Sequence, residues 1–170
     1  MRRALACLLV TVLLAACGFQ LRGAWVLPYE SLHIGLPDTS VVGAGLKRQI
    51  AAGGGTRLAA TSAEAQGTLL QTAEVRERQI LSLSTAGRVR EVRLHYRFAY
   101  RIVDAKGRDL VPVSGIELTR DLTYDDSAVL AKEQEELILW RDMENDLVQM
   151  LLRRLATVKP VFPKDEEAAR

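Results

Sequence analysis

The chain has 170 residues, of which 48% are hydrophobic, 26% charged and 5% aromatic. These fractions are typical of one globular domain and exclude a disordered or collagen-like chain. The 23 basic and 21 acidic residues give a formal net charge of +2, which is too balanced for a general nucleic-acid-binding protein. A domain of about 150 residues can bury roughly 70% of its unfolded surface, so it needs neither disulfides nor a metal to hold a core.

The first 16 residues have the order of an export signal. Arg2 and Arg3 supply a basic start, residues 5–14 are apolar apart from Thr11, and small residues precede Cys17. The apolar stretch is shorter than the roughly 20 residues of a membrane-spanning helix. We therefore predict that residues 1–16 are a lipoprotein signal peptide that is removed before Cys17.

Cleavage at this point would leave Cys17 as the single cysteine of the mature chain, so no intramolecular disulfide is expected. The similarity to bacterial lipoproteins implies a covalent lipid on Cys17, and no other cofactor is predicted. Each buried acyl methylene contributes roughly 0.8 kcal/mol to membrane anchoring. Gly18 stands where an inner-membrane retention signal would usually have Asp, which favours the periplasmic face of the outer membrane.

The mature chain begins with a predicted strand and helix. Residues 31–36 are short, apolar and flanked by prolines, as in a strand. Asp38 or Ser40 can cap the helix that follows, and the glycines of residues 53–55 end it. Apolar residues recur in this helix at four-residue spacing: Val42, Leu46 and Ile50.

Residues 68–124 predict three consecutive antiparallel strands. In residues 88–103 the apolar side chains alternate with polar ones, which indicates a strand with one buried face. Residues 68–84 form its predicted partner before a tight turn at Ala86 and Gly87. Residues 113–124 form the third strand of the meander.

A long helix is predicted from a cap at residues 125–127 to about Ala156, before a charged tail over residues 161–170 that we expect to be disordered. Its main apolar stripe is Trp140, Met143, Leu147, Leu151 and Leu155. A second apolar side carries Ile138, Val148 and Leu152. This second side could pack against the first helix or form a partner interface, and the sequence leaves both possibilities open.

These elements predict an α+β fold over residues 17–160. Its order is β-α-β-β-β-α, a two-layer sandwich in which two helices cover one face of a four-stranded mixed sheet. No catalytic motif and no metal-ligand spacing was found, so neither an enzyme nor a metal site is predicted.

The polar face of the sheet carries several bases. A tight turn at Ala86 and Gly87 would place Arg78 opposite His95 and Arg76 opposite Arg97, so an anion could compensate them. Alternatively, acids neutralise this face, with Arg93 opposite Asp121 and Arg97 opposite Glu117. Arg88 and Arg90 lie at the turn, where we expect fewer acids. They are the better anion contacts.

Several short motifs recur in a characteristic order along the chain. They are Cys17-Gly18-Phe19-Gln20-Leu21-Arg22-Gly23, Gly107-Arg108-Asp109-Leu110, Pro112-Val113-Ser114, Leu130-Ala131-Lys132-Glu133 and Leu152-Arg153-Arg154-Leu155. Together they resemble the LptE family, the lipopolysaccharide-assembly lipoproteins of the bacterial outer membrane, over essentially all of residues 17–160.

The resemblance implies a lipoprotein that plugs the LptD β-barrel, helps that barrel assemble, and takes part in inserting lipopolysaccharide into the outer leaflet. It further implies lipopolysaccharide binding by bases near the hairpin tip and the start of the last helix. Lys132 matches the second place. Ala86 stands where the tip base is expected, so Arg88 or Arg90 would replace it. The rival hypothesis is a lipid-anchored adaptor of another envelope complex that does not bind glycolipid.

Overall fold

The structure, a computed structural model, describes residues 25–124 and 128–162. The signal peptide, Cys17, the predicted helix cap at residues 125–127 and the tail from residue 163 lie outside these ranges. The elements in chain order are β1 (Ser31–Gly35), α1 (Val41–Gly53), β2 (Arg57–Leu58), a 3-10 turn (Ser62–Glu64), β3 (Gly67–Leu83), β4 (Val89–Val103), β5 (Asp109–Thr123) and α2 (Val129–Thr157).

The sheet is mixed, as predicted, but it has five strands in the order β2-β1-β3-β4-β5 instead of four. β1 runs parallel to β2 and β3, and β3, β4 and β5 form the antiparallel meander. The missed strand, β2, is two residues long, which is too short to show an alternating pattern. Hydrogen bonds hold it beside β1: Arg57 N–H donates to the Glu30 carbonyl at 3.0 Å, and the Thr56 hydroxyl donates to the Tyr29 carbonyl at 2.9 Å.

Both ends of α1 follow from local chemistry. Ser40, rather than Asp38, caps the helix, since its hydroxyl accepts a hydrogen bond from Gly43 N–H at 3.0 Å. Gly54 ends it with a φ of +66°, a left-handed conformation that favours glycine. Gly45 faces α2, and a Cβ built there would lie 2.9 Å from Val148 Cγ2. The small residue therefore lets the two helices pack closely.

The core lies between one face of the sheet and the two helices. The predicted inward residues of β4 are all buried: Val92, Leu94, Tyr96, Phe98, Tyr100 and Ile102. Met143, Leu147, Leu151 and Leu155 of α2 meet them, and Trp140 is half-buried. Val161 and Phe162, assigned to the tail from sequence, also dock: Val161 N–H bonds the Leu110 carbonyl at 3.1 Å and Phe162 packs on Tyr29.

The molecule has two ends along β3. β1 pairs with residues 67–70 of β3, and we call this end proximal. The distal end comprises the turn between β3 and β4, the last residues of β5 and the start of α2. Thr123 of β5 pairs with Glu91 of β4, so the hairpin tip and the start of α2 lie at the same end of the sheet, as the meander predicts.

Candidate functional site

The register of β3 and β4 separates the predicted basic cluster onto two faces. Arg78 lies opposite Leu94 and Arg76 opposite Tyr96, so the predicted pairings with His95 and Arg97 are wrong by one residue. The turn has three residues instead of two, because Ser84 N–H bonds the Arg88 carbonyl at 2.7 Å and Gly87 has a φ of +74°. A slip of one residue moves side chains to the opposite face.

The face away from the helices, which we call the outer face, carries the other three bases. Arg93 binds Asp121 with two hydrogen bonds of 2.7 and 2.8 Å. His95 lies 3.5 Å from Glu117, and Arg97 lies 3.1 Å from Glu77. The predicted register of Arg93 with Asp121 and of Arg97 with Glu117 is confirmed.

Electrostatically, the outer face neutralises itself. The hydrogen bonds from Arg93 hold the pKa of the Asp121 carboxyl below its usual range. Exposed pairs of this kind contribute little to stability, but they remove the need for a bound anion. Of the two alternatives left open by the sequence, neutralisation by acids is the one observed.

Arg76 instead points beneath α2. Its guanidinium lies 3.0 Å from the Glu74 carboxylate and 2.8 Å from that of Glu144, which is only 7% exposed. It also stacks 4.7 Å above the Tyr96 ring. Burial opposes ionisation of Glu74, but hydrogen bonds from Tyr96 and Arg76 outweigh it and keep the pKa of this carboxyl below its ordinary value.

Arg78 makes a second link to the same helix. It lies 3.3 Å from Glu136 and 5.0 Å above the Tyr124 ring, and the Tyr124 hydroxyl donates to Glu136 at 2.8 Å. We call these contacts the polar seam; its members are Glu74, Arg76, Arg78, Tyr96, Tyr124, Glu136, Trp140 and Glu144. The sequence signal for it, which was missed, is the spacing of Glu136, Trp140 and Glu144 on one face of α2.

The three predicted anion-binding bases lie at the distal end. Arg90 lines an open polar depression of about 370 Å³ with Ser82, Glu91, Thr123 and Tyr124. Arg88 N–H donates to the Ser84 hydroxyl at 3.1 Å. Lys132, in the first turns of α2, lies 2.9 Å from Glu135 and therefore already has an acidic partner.

The predicted partner interface on α2 is only partly exposed. Ile138 is 56% exposed, whereas Val148 and Leu152 are 5% and 0% exposed. Their assignment to a partner surface is wrong, because both side chains are buried, and α1 packs alongside this half of α2 with Gly45 against Val148. At Val148 and Leu152 the observed burial agrees with the alternative prediction, in which this side of α2 packs inside the domain beside the first helix.

The described residues contain neither a cluster of metal ligands nor a membrane-spanning helix. No group of three or more His, Cys, Asp or Glu side chains within residues 25–124 and 128–162 could hold a metal ion. Neither helix in the described part of the chain combines the length and apolarity needed to cross a bilayer.

Comparison with known proteins identifies the family. The sequence model of the LptE lipopolysaccharide-assembly family matches residues 29–155, which include every helix and strand except the last two residues of α2. The chain belongs to the LptE family. This confirms the resemblance seen in its motifs and associates the chain with lipopolysaccharide assembly. No curated protein sequence matches the chain.

Solved structures of lipoproteins share the fold. Lipoprotein B from Nitrosomonas europaea is 38% identical, with a TM-score of 0.69, and the match covers 82% of this chain and 90% of that one. A minor lipoprotein from Acinetobacter baumannii is 24% identical, with a TM-score of 0.66 and coverages of 81% and 99%. Rare lipoprotein B from Shewanella oneidensis is 18% identical, with a TM-score of 0.64 and coverages of 82% and 99%. The last two comparisons support the fold alone.

Proposed function

We propose that this protein is an outer-membrane lipoprotein that plugs an LptD-type β-barrel, helps the barrel to assemble, and takes part in inserting lipopolysaccharide into the outer leaflet. The observation that carries the proposal is the LptE family match across nearly the whole folded domain. The role is non-enzymatic: binding and assembly, with no reaction catalysed by the chain.

The outer face suits the interior of a large barrel, which is polar and filled with water. A plug in that interior needs a surface that stays hydrated and carries little net charge. The pairs of Arg93 with Asp121 and Arg97 with Glu77 meet this requirement, since each base has an acid at hand. The neutral face therefore favours contact with a mixed polar wall over capture of a polyanion.

Lipopolysaccharide binding belongs, in this proposal, to the distal end. Arg88, Arg90 and Lys132 lie around the hairpin tip and the start of α2. Lipid A carries phosphates on an acylated sugar, and an arginine can bind a phosphate with two parallel hydrogen bonds while its aliphatic stem lies along an acyl chain. The positive end of the α2 dipole adds to the attraction. A phosphate at Lys132 would displace Glu135.

Membrane attachment is proposed to come from lipid on Cys17 after removal of residues 1–16, at the periplasmic face of the outer membrane. Replacement Cys17→Ser should leave a folded protein that is no longer held by lipid. Fractionation measures this directly. Because a barrel partner could still retain the variant, the same protein purified without that partner should fail to bind liposomes.

The decisive experiment is titration of the purified soluble domain with lipopolysaccharide. Charge-assisted hydrogen bonds contribute about 1.5 to 3 kcal/mol each, so a triple variant at Arg88, Arg90 and Lys132, each changed to Gln, should bind roughly tenfold more weakly or worse. A matched control changes Arg93 and Arg97 to Gln on the neutralised outer face and should bind almost as well as the parent. Equal binding by the triple variant and the parent would favour the adaptor hypothesis instead.

A further inference from the structure

The two outer edges of the sheet are treated differently by the fold. On β5, Val161 N–H bonds the Leu110 carbonyl, the Arg154 guanidinium bonds the Gly115 carbonyl, and the Arg120 guanidinium bonds that of Thr119. Pro112, also on this strand, has no N–H to offer. These are the devices by which proteins keep an edge strand from pairing with another chain.

The free edge of β3 lacks such protection. β1 accompanies β3 only along residues 67–70, and Pro37 stands just beyond β1, before the chain enters α1. Among residues 25–124 and 128–162, no strand lies beside the rest of β3 on that side, and no contact like those on β5 reaches the backbone of residues 73–80. The edge next to β1 is therefore open in the distal half of the sheet.

The open edge has a defined length. Register shifts occur at Gln71/Ala73 and at Ile80/Ser82, and the pairing with β4 is regular between them. Residues 73–80 span roughly 26 Å at about 3.3 Å per residue. Alternate residues of this segment turn their N–H and C=O groups away from β4, so the edge offers a regular row of unpaired donors and acceptors. Such a row is complementary to an extended strand.

The helix layer leaves the same side uncovered. Leu137 precedes Val148 by about three turns of α2, and Ile138 lies near the angular position of Leu152, so both pairs share one side of the helix. Val148, which faces Gly45 of α1, and Leu152 are buried. Leu137 and Ile138, in contrast, are 54% and 56% exposed. β1 and α1 therefore both end about halfway along the molecule. The exposed side chains of Leu137 and Ile138 lie on the side of α2 that these two elements leave uncovered.

The described ends of this chain lie at the other end of β3. The Tyr29 ring lies 3.3 Å from a Cβ built on Gly67, the first residue of β3, and Phe162 packs on Tyr29 with ring centroids 6.2 Å apart. From Gly67 to Ala73 the strand rises roughly 20 Å. Crossing this distance would use about six residues of either flanking segment, so residues 17–24 and 163–170 would each retain too few to pair along all of residues 73–80. This favours an occupant from another molecule.

We propose that residues 73–80 of β3 receive an extended segment of the barrel partner as an additional strand, and that apolar side chains of this segment cover Leu137 and Ile138. The proposal rests on the proposed function for the identity of the partner. Main-chain hydrogen bonds would supply the affinity, and the side chains over the gap would supply selectivity.

The test is amide hydrogen exchange on the full-length lipoprotein, alone and in its purified complex with the barrel. In the complex, the edge amides of residues 73–80 should exchange at least roughly tenfold more slowly, because only the bound strand protects them. Amides of β5 residues 115–121 serve as the internal control and should change little. An intact complex with unchanged exchange at residues 73–80 would overturn the inference while leaving the proposed function standing.

Other outcomes are equally informative. Failure of the barrel to co-purify with the parent lipoprotein would contradict the proposed function itself. Slow exchange of the edge in the isolated lipoprotein, at all concentrations, would mean that its own chain occupies the edge; protection that rises with concentration would assign it to a second copy. Either result overturns the assignment to the barrel.

A pair of variants tests the apolar part of the contact. Leu137→Asp should reduce recovery of the complex several-fold with an unchanged melting temperature. Val26→Asp, which changes an exposed side chain in the segment before β1, is the matched control and should leave recovery unchanged. Equal recovery with both variants would remove Leu137 from the contact.

Discussion

The two halves of α2 are attached to the sheet by different physics. In the C-terminal half, Met143, Leu147, Val148, Leu151, Leu152 and Leu155 are all at most 5% exposed and join a continuous apolar core. In the N-terminal half, Leu139 and Trp140 are only partly buried against this core, and ion pairs of the polar seam add contacts to the sheet. Leu137 and Ile138 remain exposed. Apolar burial therefore dominates the attachment of the C-terminal half of α2, whereas ion pairs and hydrogen bonds make a larger share of the contacts of its N-terminal half.

This difference matches the proposed division of labour. A half held by buried apolar side chains cannot expose them without large cost, so it suits a scaffold. A half held by ion pairs offers exposed bases, an open sheet edge and uncovered apolar side chains at one end of the molecule. The surface that we propose for lipopolysaccharide and the sheet edge that we propose for an added strand of the barrel partner both lie in this distal half.

The sharpest way to test this contrast is to place one charge on each half. Val148→Asp should lose about 4 kcal/mol or more of the free energy of unfolding, because an unpaired carboxylate would be buried against α1. Ile138→Asp, ten residues earlier and exposed, should stay within about 1 kcal/mol of the parent. Urea denaturation measures both. Similar losses at the two positions would mean that both halves belong to one apolar core.

Removal of an acid from the seam should have a smaller effect. Glu144→Ala deletes a nearly buried partner of Arg76 and should cost about 1 to 3 kcal/mol. The control is Asp146→Ala in the same helix, which removes the half-exposed partner of Arg120 and should cost less than about 1 kcal/mol. Thermal unfolding in matched buffers compares them; an equal cost would show that the seam is no more than a surface ion pair.

The pH dependence should identify Glu74 as a contributor. Its pKa in the folded state lies below the ordinary value of 4.5, so its contribution is complete above pH 4.5 and is lost as the pH falls through the folded pKa. The parent should therefore lose more unfolding free energy than Glu74→Gln when both are acidified from neutral pH to below 4.5. Parallel pH profiles for the two proteins would exclude this contribution.

Sequence patterns predicted the parts of the fold that repeat over many residues. The alternation in β4 identified all six of its buried inward residues, since each second side chain meets the same core. The main stripe of α2 was predicted for the same reason. Family motifs then supplied the association with lipopolysaccharide assembly, which no pattern of charge or hydrophobicity contains.

The predictions that the structure corrected concern features that depend on a single residue or on a neighbouring element in space. Whether the loop before Arg88 has two or three residues decides which face Arg76 and Arg78 occupy, and both lengths are compatible with Ala86-Gly87. The apolar pattern on the second side of α2 is the same at Ile138 and at Val148. Their burial differs because α1 is long enough to reach Val148 but not Ile138. β2 was missed because a two-residue strand depends on its neighbours rather than on its own sequence.

The contrast between the two halves of α2 is tested most directly by residue-resolved amide hydrogen exchange on the isolated domain. Amides of residues 143–155 should exchange only through global unfolding. Those of residues 133–141 should exchange through a local opening of lower free energy, and added salt should lower it further because salt weakens ion pairs. Exchange through a single opening along the whole helix, with no dependence on salt, would contradict the account.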